Sequence, residues 1–95
     1  MADISKKRQH ALEADEVEVR IERIAMGLVE RIGGEWRWED GDAVYEGRGA
    51  RARVEYTAET IMMKVKLPLM LKPMRGRIAS VIDEVFDEHF GPKAA

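Results

Sequence analysis

The side chains able to do chemistry are few and far apart. His10 and His89 are the two histidines, near opposite ends of the chain, there is no cysteine, and no serine beside either lies in a nucleophile motif. Nucleophilic catalysis needs a nucleophile within hydrogen-bond reach of a base, so both histidines read as structural groups with local hydrogen bonds. Asp83, Glu84, Asp87, Glu88 and His89 have the composition of a metal site. Consecutive helical residues point in different directions, however, so few of them can converge on one ion, and a solvated acidic helix face is expected instead. Gly47-Arg48-Gly49 has the glycines of a phosphate loop but neither its lysine nor a following helix, and reads as a tight turn. No catalytic residue, metal or cofactor is expected, and the chain reads as a non-enzyme.

Binding is the chemistry that remains. Strand alternation puts Arg51, Arg53, Lys64 and Lys66 on one sheet face, with Arg37 available from a neighbouring strand. Such a face could hold phosphates, a nucleic acid, an acidic partner or an anionic granule surface. The competing reading is a solvated face countered by Glu35, Glu39 and Glu55. Trp36 and Trp38 could stack on bases or sugars, but two aromatics on the apolar side of a strand more often pack as core. Together with Met63 and Met74, two of six methionines, they are also the candidate lining of an apolar pocket between helices and sheet, where simple core filling competes.

The elements that would position these groups are legible from periodicity. From Glu13 to Ile32, apolar residues recur at three- and four-residue spacing, with acids in the first turns and Gly33-Gly34 as the stop, which predicts an amphipathic helix. The period then falls to two through Glu35–Glu39, Ala43–Glu46, Arg51–Tyr56 and Ile61–Leu67, with turns at Asp40-Gly41-Asp42, Gly47-Arg48-Gly49 and Thr57-Ala58-Glu59. Pro68 ends this meander. Leu71 to Phe90 predicts a second amphipathic helix, with Pro73 near its start and Gly91-Pro92 as its stop, and Lys93-Ala94-Ala95 is expected to fray. Asp3 to His10 reads as an edge strand with Ile4 and His10 on one face. The predicted fold is α+β, in the order β-α-β-β-β-β-α: an antiparallel sheet with both helices on one face, helix-grip-like, the other face wet.

Ninety-five residues, 45% hydrophobic and 36% charged, suit one domain spanning residues 1–95. The absence of cysteine fits a reducing compartment, and no stretch approaches the ~20 apolar residues that span a bilayer, so a cytoplasmic protein without membrane insertion is expected. The net charge of −2 conceals a division: residues 13–47 hold eleven acidic and four basic side chains, residues 48–77 eight basic and two acidic. Partners are therefore better read from local charge than from the total.

Met1-Ala2-Asp3-Ile4, His10-Ala11-Leu12, Gly33-Gly34-Glu35-Trp36-Arg37-Trp38 and the run Leu67 to Gly76 leading into Ile78 and Ile82 together resemble the polyhydroxyalkanoic acid system proteins, over nearly the whole chain. Lys6, where an apolar strand residue is expected, and Pro68, where the family more often has glycine, depart from that pattern. The resemblance implies a bacterial cytoplasmic accessory or regulatory protein of polyester storage, located at granules, with a granule protein or the granule surface as partner and no catalytic residues to carry over. Nucleic-acid binding by the basic face and an acyl-ligand-binding grip are the alternative functions, and a homodimer is compatible with all three.

Overall fold

The structure, a computed structural model, describes residues 3–91. Its elements are β1 (Ile4–Gln9), α1 (Ala14–Ile32), β2 (Glu35–Glu39), β3 (Asp42–Gly47), β4 (Ala50–Tyr56), β5 (Thr60–Lys66), a 3-10 turn (Leu69–Met74) and α2 (Arg75–Phe90). The five strands form one antiparallel sheet in the order β1-β5-β4-β3-β2, with both helices on one face. This is the α+β order read from the sequence. Pro92 and Lys93-Ala94-Ala95 lie outside the described residues.

The meander turns on two-residue loops. Asp40-Gly41 and Arg48-Gly49 both have positive φ at each position (53° and 85°, 52° and 81°), the conformation that matches the twist of adjoining strands. Aspartate tolerates that region and arginine does not favour it, so Arg48 sits where its side chain rather than its backbone preference must matter. Gly34 (φ 89°) ends α1 against the facing strand: a Cβ there would run into the backbone oxygen of Glu46 and lie 2.9 Å from the Gly47 Cα.

The helix-facing side of the sheet carries Ile4, Ala43, Tyr45, Ala52, Val54, Ile61, Met63 and Val65, all buried. Val17, Ile21 and Ile24 of α1 and Ile82 and Phe86 of α2 meet them in one core. Each large aliphatic or aromatic side chain so buried contributes about 1.5–3 kcal/mol, which fixes which stripe of each helix faces inward.

One element differs from its expectation. The second helix begins at Arg75 rather than Leu71, and Leu69–Met74 is a 3-10 turn. Pro73 explains the difference: it lacks an N–H and disfavours α geometry at the residue before it. Pro68 opens this turn, its carbonyl accepting the Leu71 N–H at 2.9 Å, and Asp3 ties the turn to β1 by accepting the Leu67 N–H at 2.7 Å and pairing with Lys72 at 3.7 Å.

Candidate functional site

The two helices straddle the sheet unevenly. α1 packs on β2 and β3, α2 on β1 and the 3-10 turn. They converge where Arg20 of α1 donates to the His89 carbonyl of α2 at 2.6 Å. Toward Ile32 and Arg77, both walls of one cleft, they stand apart over the central strands. The result is an open apolar cleft of about 310 Å³. Its floor uses small residues, Gly47, Ala50 and Ala52, with Met63, Val65 and Leu67; Leu28 and Ile32 form one wall, and Met74, Ile78, Val81 and Val85 the other. Small floor residues create the volume, and larger ones there would have filled it.

Arg48 and Arg77 border this cleft, Arg51 meets it only where its strand crosses the floor, since its side chain lies in the outward row, and no aspartate or glutamate lines it. None of the three forms an ion pair among the described residues. Arg48 is held by its Nε, which donates to the Ile32 carbonyl at the end of α1 at 3.2 Å. That contact satisfies an orphan helix carbonyl and places a cation at the negative end of the helix dipole.

Of the apolar-pocket residues read from the sequence, Met63 and Met74 line the cleft, and Trp36 and Trp38 do not. The tryptophans, on the edge strand β2, pair with Tyr45 and Ala43 of β3, stack edge-to-face at 5.8 Å, and lie against the core beneath α1, where Trp38 Nε1 donates to Glu22 at 3.0 Å. Beside them Tyr56 donates to Glu18, and this hydrogen bond, with burial adding to it, pushes the Tyr56 phenol up to about 12.

Arg37, Arg51, Arg53, Lys64 and Lys66 share the outward sheet face, in adjacent rows set by the strand register. Three are engaged. Arg37 binds Glu46 (3.1 Å) and Glu39 (2.9 Å), Arg53 binds Asp42 (2.9 Å), and Lys64 reaches Glu55 (3.4 Å). Hydrogen bonds from Arg37 to Glu46 and Glu39, and from Arg53 to Asp42, raise both guanidinium pKa values further. Val44, opposite Arg37 and Arg53 in the register, is fully buried on this outward face, which places it beneath the aliphatic stems of the arginines and their carboxylate lattice.

The acidic face of α2 is not simply solvated. Asp83 and Asp87 turn to β1, where Lys6 reaches Asp83 at 3.0 Å and Arg8 binds Asp83 at 3.2 Å and Asp87 at 2.7 Å. Arg8, 8% exposed, also lies over the Phe86 ring at 5.6 Å. Lys6 thus stands at an inward strand position because a carboxylate on α2 receives it. Asp83 responds accordingly: the Lys6 hydrogen bond is the largest influence, burial opposes it, Arg8 adds to it, and the carboxyl is held below its ordinary value of 3.8.

His10 braces the other end of β1. Its Nδ1 accepts the Leu12 N–H at 3.1 Å, so Nε2 carries the proton toward the Thr57 and Thr60 carbonyls at 2.9 and 3.2 Å. His89 contributes its backbone oxygen to the helix contact. Among the described residues no three His, Asp or Glu side chains are grouped to hold a metal ion, and no helix is long and apolar enough to cross a membrane.

A family model described as putative polyhydroxyalkanoic acid system protein matches residues 4–90, which takes in every strand and helix above. No curated protein and no solved structure matches the chain.

Proposed function

We propose a function from one premise: the chain belongs to the polyhydroxyalkanoic acid system protein family. It acts as a non-enzymatic accessory protein of polyester storage that docks on the granule surface through the 3-10 turn and the adjoining lip of the cleft. The observation that carries this reading is the exposure of Leu69 and Met70, at 81% and 89%, on a turn whose neighbours Leu71 and Met74 continue into the cleft. Large apolar side chains held so far into water signal an interaction surface when they are contiguous with other apolar groups.

The charge around them supports an amphiphilic, anion-bearing surface as the target. Residues 60–82 carry Lys64, Lys66, Lys72, Arg75 and Arg77 and no acid, so apolar contact and electrostatic attraction act together at this edge. The sheet face read as basic from the sequence is less suited to the task, because Arg37, Arg53 and Lys64 already hold carboxylates.

Co-sedimentation with purified polyester granules tests the reading. Burial of Leu69 and Met70 would each contribute about 1.5–3 kcal/mol, so a Leu69→Ser/Met70→Ser variant is expected to move from the pellet to the supernatant with its fold intact. Recovery of the wild-type chain that is the same with and without granules refutes the docking.

A further inference from the structure

We propose that the cleft is a binding site for one free aliphatic chain of about ten carbons ending in an anionic head, with the head held by Arg48 and Arg77. This goes beyond surface docking and does not depend on it: the ligand is a single soluble amphiphile taken into the interior.

Volume sets the tail. Protein interiors rarely leave voids much larger than a water molecule, whereas this cleft holds about 310 Å³ between apolar walls. A dry cavity of about 150 Å³ accepts a six-carbon ring, so roughly twice that volume accommodates a chain of about ten carbons. The walls offer such a chain Leu28, Met63, Ile78 and Val81 along its length, and no buried polar side-chain atom lacks a partner among the described residues. A polar tail would therefore find nothing there to satisfy it.

Charge sets the head. Arg8, Arg20, Arg37 and Arg53 hold carboxylates of the protein itself; of the six arginines without an ion pair among the described residues, Arg48 and Arg77 are the two that border the cleft by their side chains. Arg48 is the more telling because it occupies a left-handed position in its turn (φ 52°), where glycine or asparagine would be less strained. Its Nε is used to fix the side chain to the end of α1, which leaves the terminal nitrogens of the guanidinium without a protein partner among the described residues. Arg77, on the first turn of α2, faces the same space from the other wall. Two cations that no acid neutralises, at the borders of an apolar cleft, complement an anionic amphiphile and penalise a neutral one of equal length.

The test is calorimetric titration of the full chain, without granules, with decanoate, decyl phosphate and decanol below their aggregation limits. Saturable one-to-one binding of either anionic probe is expected, at least tenfold tighter than decanol, and the tighter of the two anions identifies the head. Across hexanoate, octanoate and decanoate, each added methylene should tighten binding about fourfold until the cleft is full. Arg48→Gln/Arg77→Gln should weaken the anions at least tenfold and leave decanol within about twofold. Val81→Trp, at a half-exposed wall position, should abolish binding of all three probes while the circular dichroism stays native. The proposal is overturned if no probe binds saturably, if the arginine variant binds the anions as tightly as wild type, or if the cleft proves to be covered by a second copy of the chain in a dimer that decanol does not dissociate. Because granules are absent, the two binding outcomes do not bear on the docking of Leu69 and Met70, whereas a dimer that covers the cleft would also hide its lip and count against both.

Discussion

Arg8 allows a sharp test of how α2 is held to the sheet. Its guanidinium is 8% exposed, and it is balanced by Asp83 and Asp87, themselves 41% and 48% exposed. Removing both partners with Asp83→Asn/Asp87→Asn leaves a nearly buried cation without compensation. Fully buried pairs broken in this way lose about 3–5 kcal/mol. The half-exposed carboxylates reduce that here to about 2–3 kcal/mol, because water already screens part of the pair. Arg8→Met removes the charge itself and keeps most of the stem. It forfeits the cation–π contact with Phe86, worth about 1 kcal/mol, and recovers part of that by relieving desolvation, so the net cost should stay under about 1 kcal/mol. At about 4–8 °C per kcal/mol for a domain of this size, the double variant should lose about 10–20 °C in Tm and Arg8→Met less than about 8 °C. Calorimetric melting at neutral pH measures both. Equal destabilisation by Arg8→Met and the double variant would show that an uncompensated buried cation is not what the two carboxylates offset. The folded carboxyl of Asp83 lies below its ordinary value, so its contribution is present above pH ~4 and is lost as pH falls through the depressed value. Asp83→Asn should flatten that part of the acid unfolding curve.

Tyr56 should give the mirror-image dependence. Its folded pKa of about 12 lies above the unfolded value of 10.0, so the Glu18 contact stabilises fully below pH ~10 and is lost as pH rises toward ~12; Tyr56→Phe should remove that slope in alkaline denaturation. Gly34→Ala forces a Cβ into the Glu46 backbone at positive φ, and urea melts should register a loss of about 3 kcal/mol or more, whereas a loss below ~1 kcal/mol would mean that the α1–β2 junction can shift. On the outward face, the five cations Arg37, Arg51, Arg53, Lys64 and Lys66 would, if all were unpaired, give duplex DNA a salt slope of about −4.5, but of these only Arg51 and Lys66 lack ion pairs among the described residues, and Lys7 of β1 adds a third free cation, so a slope no steeper than about −3 and no retardation at 150 mM salt are expected.

The architecture was legible because two periods carry it. Spacings of three and four define α1 and α2, alternation defines the strands, and Asp40-Gly41 marks a hairpin whose backbone requires such residues. Periodicity alone starts the second helix four residues early because Leu71 and Met74 continue its apolar stripe, which it cannot distinguish from a 3-10 turn imposed by Pro73. The site was less legible. Alternation brought Arg37, Arg51, Arg53, Lys64 and Lys66 to one face, but could not reveal the carboxylates beside them, because cross-strand neighbours follow from register. The clamp of Lys6 and Arg8 on Asp83 and Asp87 joins residues more than 70 positions apart. Its one available signal was two cations alternating on the inward face of an edge strand, which only carboxylates from a covering helix could balance. Trp36 and Trp38 share their strand face with the cleft floor but lie at the sheet edge, a distance that alternation does not encode.

The division of charge along the chain acquires a spatial meaning in the fold. Acidic residues of the 13–47 segment meet basic residues of the 48–77 segment on the outward face, where Asp42 and Glu39 take Arg53. That pairing consumes cations near the middle of the sheet. Arg48, Arg51, Lys66, Arg75 and Arg77 form no ion pair among the described residues, and two of them, Arg48 and Arg77, border the cleft. The tethers of α2 follow the same division. Its C-terminal half is clamped through Asp83 and Asp87, and the turn before it through Asp3, Leu67 and Lys72, while the wall from Arg77 to Val81 has no polar link to the sheet among the described residues. An apolar wall left untethered beside uncompensated cations can shift to admit a chain without breaking an ion pair. Hydrogen exchange should therefore be faster at residues 77–81 than at 83–87, and an anionic ligand in the cleft should slow the former more than the latter.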